Sequence, residues 1–229
     1  MAWNGDNKSL MYNSKMCGAF GMGGYSGFGA SINILLRFEL ENKPHWKESY
    51  NIRPTQEALI VTRNSPNKGV ISKFGIKAPW DEGKLLINAQ SETVAEKRTF
   101  KKMFRETRCL IPATWFFEWK RLEDGKQPYA FSLKSEEVFS FAGIYNDSGF
   151  VILTSRPNSL MEDIHNRMPC ILKPEDEDIW LNPDTNENHL LELLSPYPPD
   201  DMKRWAVSTL VNKPANNFPE ILRPLNPSN

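Results

Sequence analysis

The stretch RCLIPATWFFEWKRLEDGKQPYAFSL, residues 108–133, decides the fold class. It holds three short runs rich in aromatic and aliphatic side chains, RCLI, WFFEW and YAFSL, and Asp124-Gly125 marks a turn between the last two. Aromatic and branched residues suit a pleated, half-buried surface, and an Asp-Gly pair supplies the backbone freedom a tight hairpin needs. Two more runs follow, VFSFAGIY and FVILTS. The centre of the chain is therefore a series of short strands.

Working outward, ALIVT (58–62) and VISKFGI (70–76) read as strands joined by a turn at Ser65-Pro66-Asn67. Thr93 and Glu96 form a capping-box pattern, which predicts a helix through EKRTFKKMFRETR with Phe100, Met103 and Phe104 on one apolar face. A helix is expected after Pro157, ending near His165, and MPCIL (168–172) reads as a strand. Short helices are expected from Pro174 and from Glu187, and WAVST (205–209) is a last strand. The glycine-rich residues 18–30, GAFGMGGYSGFGA, lack a following GKS or GKT, so they read as a flexible surface loop and not a phosphate cradle. Seventeen prolines argue against a helical bundle. The expectation is a single α+β domain over residues 16–224, a mainly antiparallel, barrel-like sheet with flanking helices. Residues 1–15 are expected to be an N-terminal tail or leader and residues 225–229 a C-terminal tail.

Composition narrows the function classes. The 229 residues are 40% hydrophobic and 24% charged, a globular balance. The net formal charge is zero, so any nucleic-acid site must be charged locally. Cys17, Cys109 and Cys170 include no CxxC pair, and His45, His165 and His189 sit at no ligand spacing, so no metal and no organic cofactor is expected. No apolar run approaches the ~20 residues of a membrane span. A soluble cytoplasmic monomer follows as the expectation.

Several residues are candidates for chemistry. Glu118 lies between aromatics in WFFEW. It is either a solvent-facing strand glutamate or a desolvated carboxylate suited to proton transfer. His165 is either a surface or capping histidine, or an acid–base group. Asn88, after the apolar LLI, is either a turn amide or a site residue. Cys109 and Cys170 adjoin apolar residues and read as inert core thiols. Cys17, followed closely by glycines, reads as accessible. These residues alone are compatible with a cysteine hydrolase.

Five stretches, taken in order, add a resemblance. They are Met16-Cys17-Gly18, Tyr50 to Gln56 (YNIRPTQ), Ile87 to Thr93 (INAQSET), Cys109 to Trp119 (CLIPATWFFEW), and His165 to Pro169 (HNRMP). VSTLVNKPANNFPE near the C-terminus fits the same pattern. Together they resemble the SRAP family over nearly the whole chain. The resemblance implies a protein that senses abasic sites in single-stranded DNA and crosslinks to them through an N-terminal cysteine. In such a protein the α-amine attacks the sugar aldehyde and the thiol closes a thiazolidine ring. Lyase and self-processing peptidase activities, and association with the nucleoid when bound to DNA, are also implied. An α-amine, with a pKa of ~7.7–8 against ~10.4 for lysine, is far more often unprotonated at neutral pH.

By this resemblance Cys17 is the nucleophile, Asn88 orients the amine or sugar, and Glu118 assists ring opening. His165 contacts a phosphate and assists acid–base steps. Arg53, Pro54, Phe74, Gln90, Trp119 and Arg167 are the expected DNA contacts, with Pro54 and Phe74 as an apolar wedge, although Phe74 equally fits a strand core. Lys97, Lys101 and Arg105 are further backbone candidates or a solvated face. Departures from the family pattern are Ala19 and Gln90 where arginines are usual, and Trp115 where a small residue is usual. The indole of Trp115 either reshapes the pocket or stacks on a base. Cys17 also stands sixteen residues into the sequence, so the resemblance requires a start at Met16, a cleaved leader, or a blocked amine. A thiol peptidase and a non-catalytic single-strand binder are the alternatives.

Overall fold

The strands foreseen between residues 108 and 155 all form, and they divide between two sheets. The computed structural model describes residues 18–24, 30–42, 46–135 and 137–225. In chain order the elements are β1 (Phe20–Met22), α1 (Ala30–Arg37), β2 (Ser49–Ile52), β3 (Glu57–Thr62), β4 (Ser65–Lys73), β5 (Ile76–Ala78), β6 (Asp81–Leu86) and β7 (Asn88–Gln90). There follow α2 (Arg98–Glu106), β8 (Arg108–Ala113), β9 (Trp115–Leu122), β10 (Gly125–Leu133), β11 (Phe139–Asn146) and β12 (Gly149–Ser155). The chain closes with β13 (Met168–Pro169), β14 (Ile171–Leu172), α3 (Pro174–Leu181), α4 (Glu187–Glu192) and β15 (Met202–Ala206).

One antiparallel sheet has the order β15-β10-β9-β1-β2. The other has the order β13-β12-β11-β8-β3-β4, with β14 on β11 and β7 parallel to β12. The fold is thus mixed α+β and mainly antiparallel, as expected. The sheets meet through aromatic rings: Phe20 lies edge-on to Phe74 and Phe141, and Phe116 edge-on to Phe141, with centroids 5.6–5.9 Å apart. Edge-to-face pairs of this kind add to the burial of their area.

Strand alternation on β9 creates a second core. Phe116 faces the aromatic interior, whereas Trp115 and Phe117 point to the opposite face. There they are covered by Val207, Val211, Ile221 and Leu222 from the C-terminal segment. Asn51 holds that segment down, its amide donating to the carbonyls of Val211, Lys213 and Asn216.

Local expectations were corrected in six places. The β3–β4 hairpin turns at Arg63-Asn64, and Ser65–Asn67 already belong to β4. Pro66 is tolerated there because β4 is an edge strand. Helix α2 starts at Arg98, with Lys97 extended at its N-cap, after a separate 3-10 turn at Ser91–Thr93. The segment after Pro157 is a set of turns, not a helix: Asn158 takes the Leu160 N–H with its side chain and gives its own amide to Tyr197 O. MPCIL splits into β13 and β14 because it wedges between the splayed ends of β12 and β11, Thr154 facing Pro169 and Phe141 facing Ile171. Last, the glycine-rich stretch begins as a buried strand, with Ala19 to Met22 in the interior. Beyond Ala206 the WAVST strand also gives way to the covering segment.

Candidate active site

Glu118 sits where the core face of β9 reaches its rim. Phe116 before it is fully buried, Lys120 after it is half-exposed, and Glu118 itself is 4% exposed. Tyr129 of β10 is its cross-strand neighbour. From the turns after β12, His165 brings Nε2 to 3.9 Å from Glu118 Oε1. The backbone N–H of Arg167 donates to His165 Nδ1 at 3.2 Å. A nitrogen that accepts is unprotonated in the neutral ring, so the imidazole proton resides on Nε2 and faces the carboxylate. The 3.9 Å gap exceeds a direct hydrogen bond. An oxygen placed beside both groups could bond to each.

The turn segment carrying His165 is clamped on both sides. Asp163 pairs with Lys120 Nζ at 2.7 Å and with the Arg204 guanidinium of β15. Those two partners, Arg204 first, hold the Asp163 carboxyl down at about 2. Arg167 binds both oxygens of Glu92, at 2.5 and 2.7 Å, and also donates to Thr154 O. That bidentate contact lowers the Glu92 carboxyl below its ordinary value.

The register of β1 on β9 directs the residues before Phe20 toward the same end of β9. Phe20 pairs with Phe116 and Gly21 with Trp115, and Phe117 N donates to Ala19 O at 3.0 Å. Extended two residues beyond the Phe20–Phe116 pair, this register would set Gly18 against Glu118. Cys17 lies outside the described residues. Asn88 is half-buried on β7, its amide 3.5 Å from Ile152 O. It makes no described contact with Glu118 or His165, but its strand leads to Glu92 and so to the Arg167 clamp.

The expected DNA contacts fall into different surroundings. Phe74 is 0% exposed, stacked on Phe150 at 5.3 Å, so its aromatic wedge role is corrected to a core role. Arg167, expected at a phosphate, is engaged by Glu92 instead. Arg53 donates to Asn51 Oδ1 and Val211 O and lies 5.0 Å over the Trp119 ring, whose Nε1 donates to Asn212 Oδ1. Both residues therefore also pin the covering segment. Pro54 is half-buried beside Thr55, whose φ is +77°, and Gln90 is exposed. Trp115 cannot stack on a base: it is fully buried against Tyr50, with its Nε1 donating to Tyr50 O at 3.2 Å. Ala19 is likewise buried. Lys97 and Lys101 are exposed, and Arg105 pairs with Glu187. Cys109 and Cys170 are buried thiols whose pKa values burial raises, that of Cys170 to about 12. They are inert as expected.

Two features escaped the sequence reading. Asp163 gave no local signal, because its partners come from β9 and β15. Trp80, at the tip of the β5–β6 hairpin that leads into Asn88, is 61% exposed with Lys84 Nζ 5.8 Å from its ring centroid. The signal available was an aromatic between Pro79 and Asp81, at a turn. Among the described residues no group of acidic, histidine or cysteine side chains could hold a metal ion, and no helix is long and apolar enough to cross a membrane.

Known proteins are similar to this chain in sequence and fold. Abasic site processing protein YoqW of Bacillus subtilis is 41% identical over 226 residues, covering 90% of this chain and 99% of its own. Abasic site processing protein YedK of Escherichia coli is 27% identical over 187 residues, covering 77% and 84%. A crystal structure of a protein from Bacteroides thetaiotaomicron superposes with a TM-score of 0.80 at 26% identity, covering 92% of this chain and all of the other. The family model for SOS response associated peptidase (SRAP) matches residues 16–214, and the chain belongs to that family.

Proposed function

We propose that this protein captures abasic sites in single-stranded DNA by forming a covalent link through Cys17, exposed as the first residue by processing after Met16. The observation that carries this reading is the Glu118–His165 pair, toward which the β1–β9 register, extended two residues beyond Phe20, directs Gly18, the residue next to Cys17 in sequence. The naming of its relatives as abasic site processing proteins supports the same reading.

The steps balance without a metal or redox partner. The closed sugar of an abasic site opens when a proton leaves its C1′ hydroxyl and another reaches the ring oxygen. Glu118 and His165, with the Nε2 proton between them, handle that exchange. The Cys17 α-amine adds to the resulting aldehyde, and loss of water gives the Schiff base. The thiol then adds to the imine carbon and its proton moves to nitrogen, closing a five-membered ring. Because amine and thiol belong to one residue, the closure needs no further encounter. Asn88 holds the sugar or the amine. The Schiff base also permits β-elimination, which would appear as strand cleavage. The DNA partner lies over Pro54, Gln90, Trp119 and the exposed Trp80 ring, and the protein acts as a soluble cytoplasmic monomer.

The test uses a single-stranded oligonucleotide with one abasic site and two protein forms, one beginning at Met1 and one at Cys17. A band that survives denaturation is expected for the Cys17 form, slowed about 10²–10⁴-fold by Glu118→Gln. A band for both forms would point to self-processing, read from intact mass. No band for either form would refute covalent capture.

A further inference from the structure

Beside the Glu118–His165 pair lies a second pair that mirrors it. On β9, Glu118 and Lys120 project from the same face, acid then base. Along the facing turn, Asp163 and His165 are spaced the same way, acid then base, and run in the opposite sense. The result is two rungs of opposite polarity, Glu118–His165 at 3.9 Å and Lys120–Asp163 at 2.7 Å. The outer rung is tied again by Arg204, which donates both to Asp163 and to Leu160 O at 2.6 Å.

The segment needs such an anchor. It is not a continuous helix: its backbone hydrogen bonds between Asn158 and His165 close two separate turns, one on Asn158 O and one on Met161 O. A slip by two residues along β9 would place Asp163 against Glu118 and His165 beyond it, an acid–acid contact that opposite charges in the present register avoid. We infer that Asp163 is a positioning residue: through Lys120 and Arg204 it fixes the register in which His165 faces Glu118. It touches no reacting atom, and the inference rests on the reading of Glu118 and His165 as the proton-transfer pair.

A double-mutant cycle tests it. In the crosslinking assay with Cys17 exposed, Asp163→Asn is expected to lower the rate about 10- to 100-fold, the effect of misplacing a catalytic group by about 1 Å. Affinity for an intact oligonucleotide of the same length should not change, and Asp163→Glu should restore most of the rate. In a His165→Ala background, Asp163→Asn should add nothing, since it acts only through the histidine. A wild-type rate for Asp163→Asn, or a full further loss in the His165→Ala background, would overturn the inference. Should Asp163→Asn fail to fold, Lys120→Met breaks the same rung from the strand side and is judged by the same criteria. If the unsubstituted protein forms no crosslink, the proposed function fails, and the inference is then decided by NMR. The His165 ring faces Glu118 from β9 and the Arg167 N–H from its own segment, while Lys120 and Arg204 face Asp163. Loss of the Asp163 anchor should shift the His165 imidazole signals and titration midpoint, whereas unchanged values would overturn it.

Discussion

Gly21 and Trp115 are one feature at the scale of single residues. A Cβ on Gly21 would lie 2.0 Å from Trp115 Nε1, so the indole occupies the space a side chain would need. Trp115 stands where the family pattern has a small residue, and it is accommodated by the glycine opposite it in the β1–β9 register. Gly21→Ala is expected to destabilise the fold by about 1–3 kcal/mol, as overpacking does. In a Trp115→Ala background, itself costly by about 3–5 kcal/mol, the same change should cost close to nothing. Urea unfolding of the four proteins measures this, and additive losses would show that the two residues do not share that space. The glycine could be read from the sequence, but its reason could not: glycine suggests flexibility until the partner ring is known.

At the scale of elements, the turn segment 158–167 consists of separate turns closed on Asn158 O and Met161 O, and ion pairs fasten it to its neighbours. Arg204 and Lys120 keep the Asp163 carboxyl at about 2 against an ordinary 3.8, and Arg167 depresses Glu92 as well. A depressed carboxyl contributes stability that is present above its unfolded-state pKa and lost as pH falls through the folded value. The clamp is therefore intact at neutral pH and should weaken as pH falls from about 4 to about 2. Hydrogen exchange of segment 158–167 is expected to accelerate over that window ahead of the β8–β12 core. Simultaneous acceleration everywhere would contradict a local clamp. The β5–β6 hairpin makes a separate prediction. Trp80→Ala should weaken single-stranded DNA binding by about 1–3 kcal/mol, the contribution of one stacked base, without lowering thermal stability. Fluorescence anisotropy with an intact oligonucleotide reads the first effect and a melting curve the second.

At the scale of the whole molecule, charge is balanced and the arginines that were candidates for DNA contact are engaged within the protein. The formal net charge is zero. Arg167 is bound by Glu92, Arg105 by Glu187, and Arg53 by Asn51 and the Val211 carbonyl. Each phosphate neutralised on a single strand contributes about −0.7 to the slope of log K against log salt. A slope no steeper than about −2 is expected, the signature of two or three phosphate contacts, with retention coming from ring stacking and the proposed covalent link. A much steeper slope would mean that binding releases these arginines to the DNA backbone.

The sequence by itself determined the strand-rich α+β class, the inert character of Cys109 and Cys170, and the identities of Glu118 and His165 as candidates. Those readings rest on local pattern: aromatic and branched runs, Asp124-Gly125 at a turn, thiols among apolar neighbours. Gln90, Asn88 and Pro54 were legible as positions in motifs, while their surroundings were not. Only the tertiary structure decided that Glu118 is buried and faces His165 and that Phe74 belongs to the core. It also set Trp115 in a second core beneath the C-terminal segment, and gave Arg167 to Glu92 before any phosphate. Glu118 depends on a partner 47 residues away in sequence and Arg167 on one 75 residues away. Burial and charge pairing arise from which strands and turns become neighbours, and local propensity carries no information about that choice.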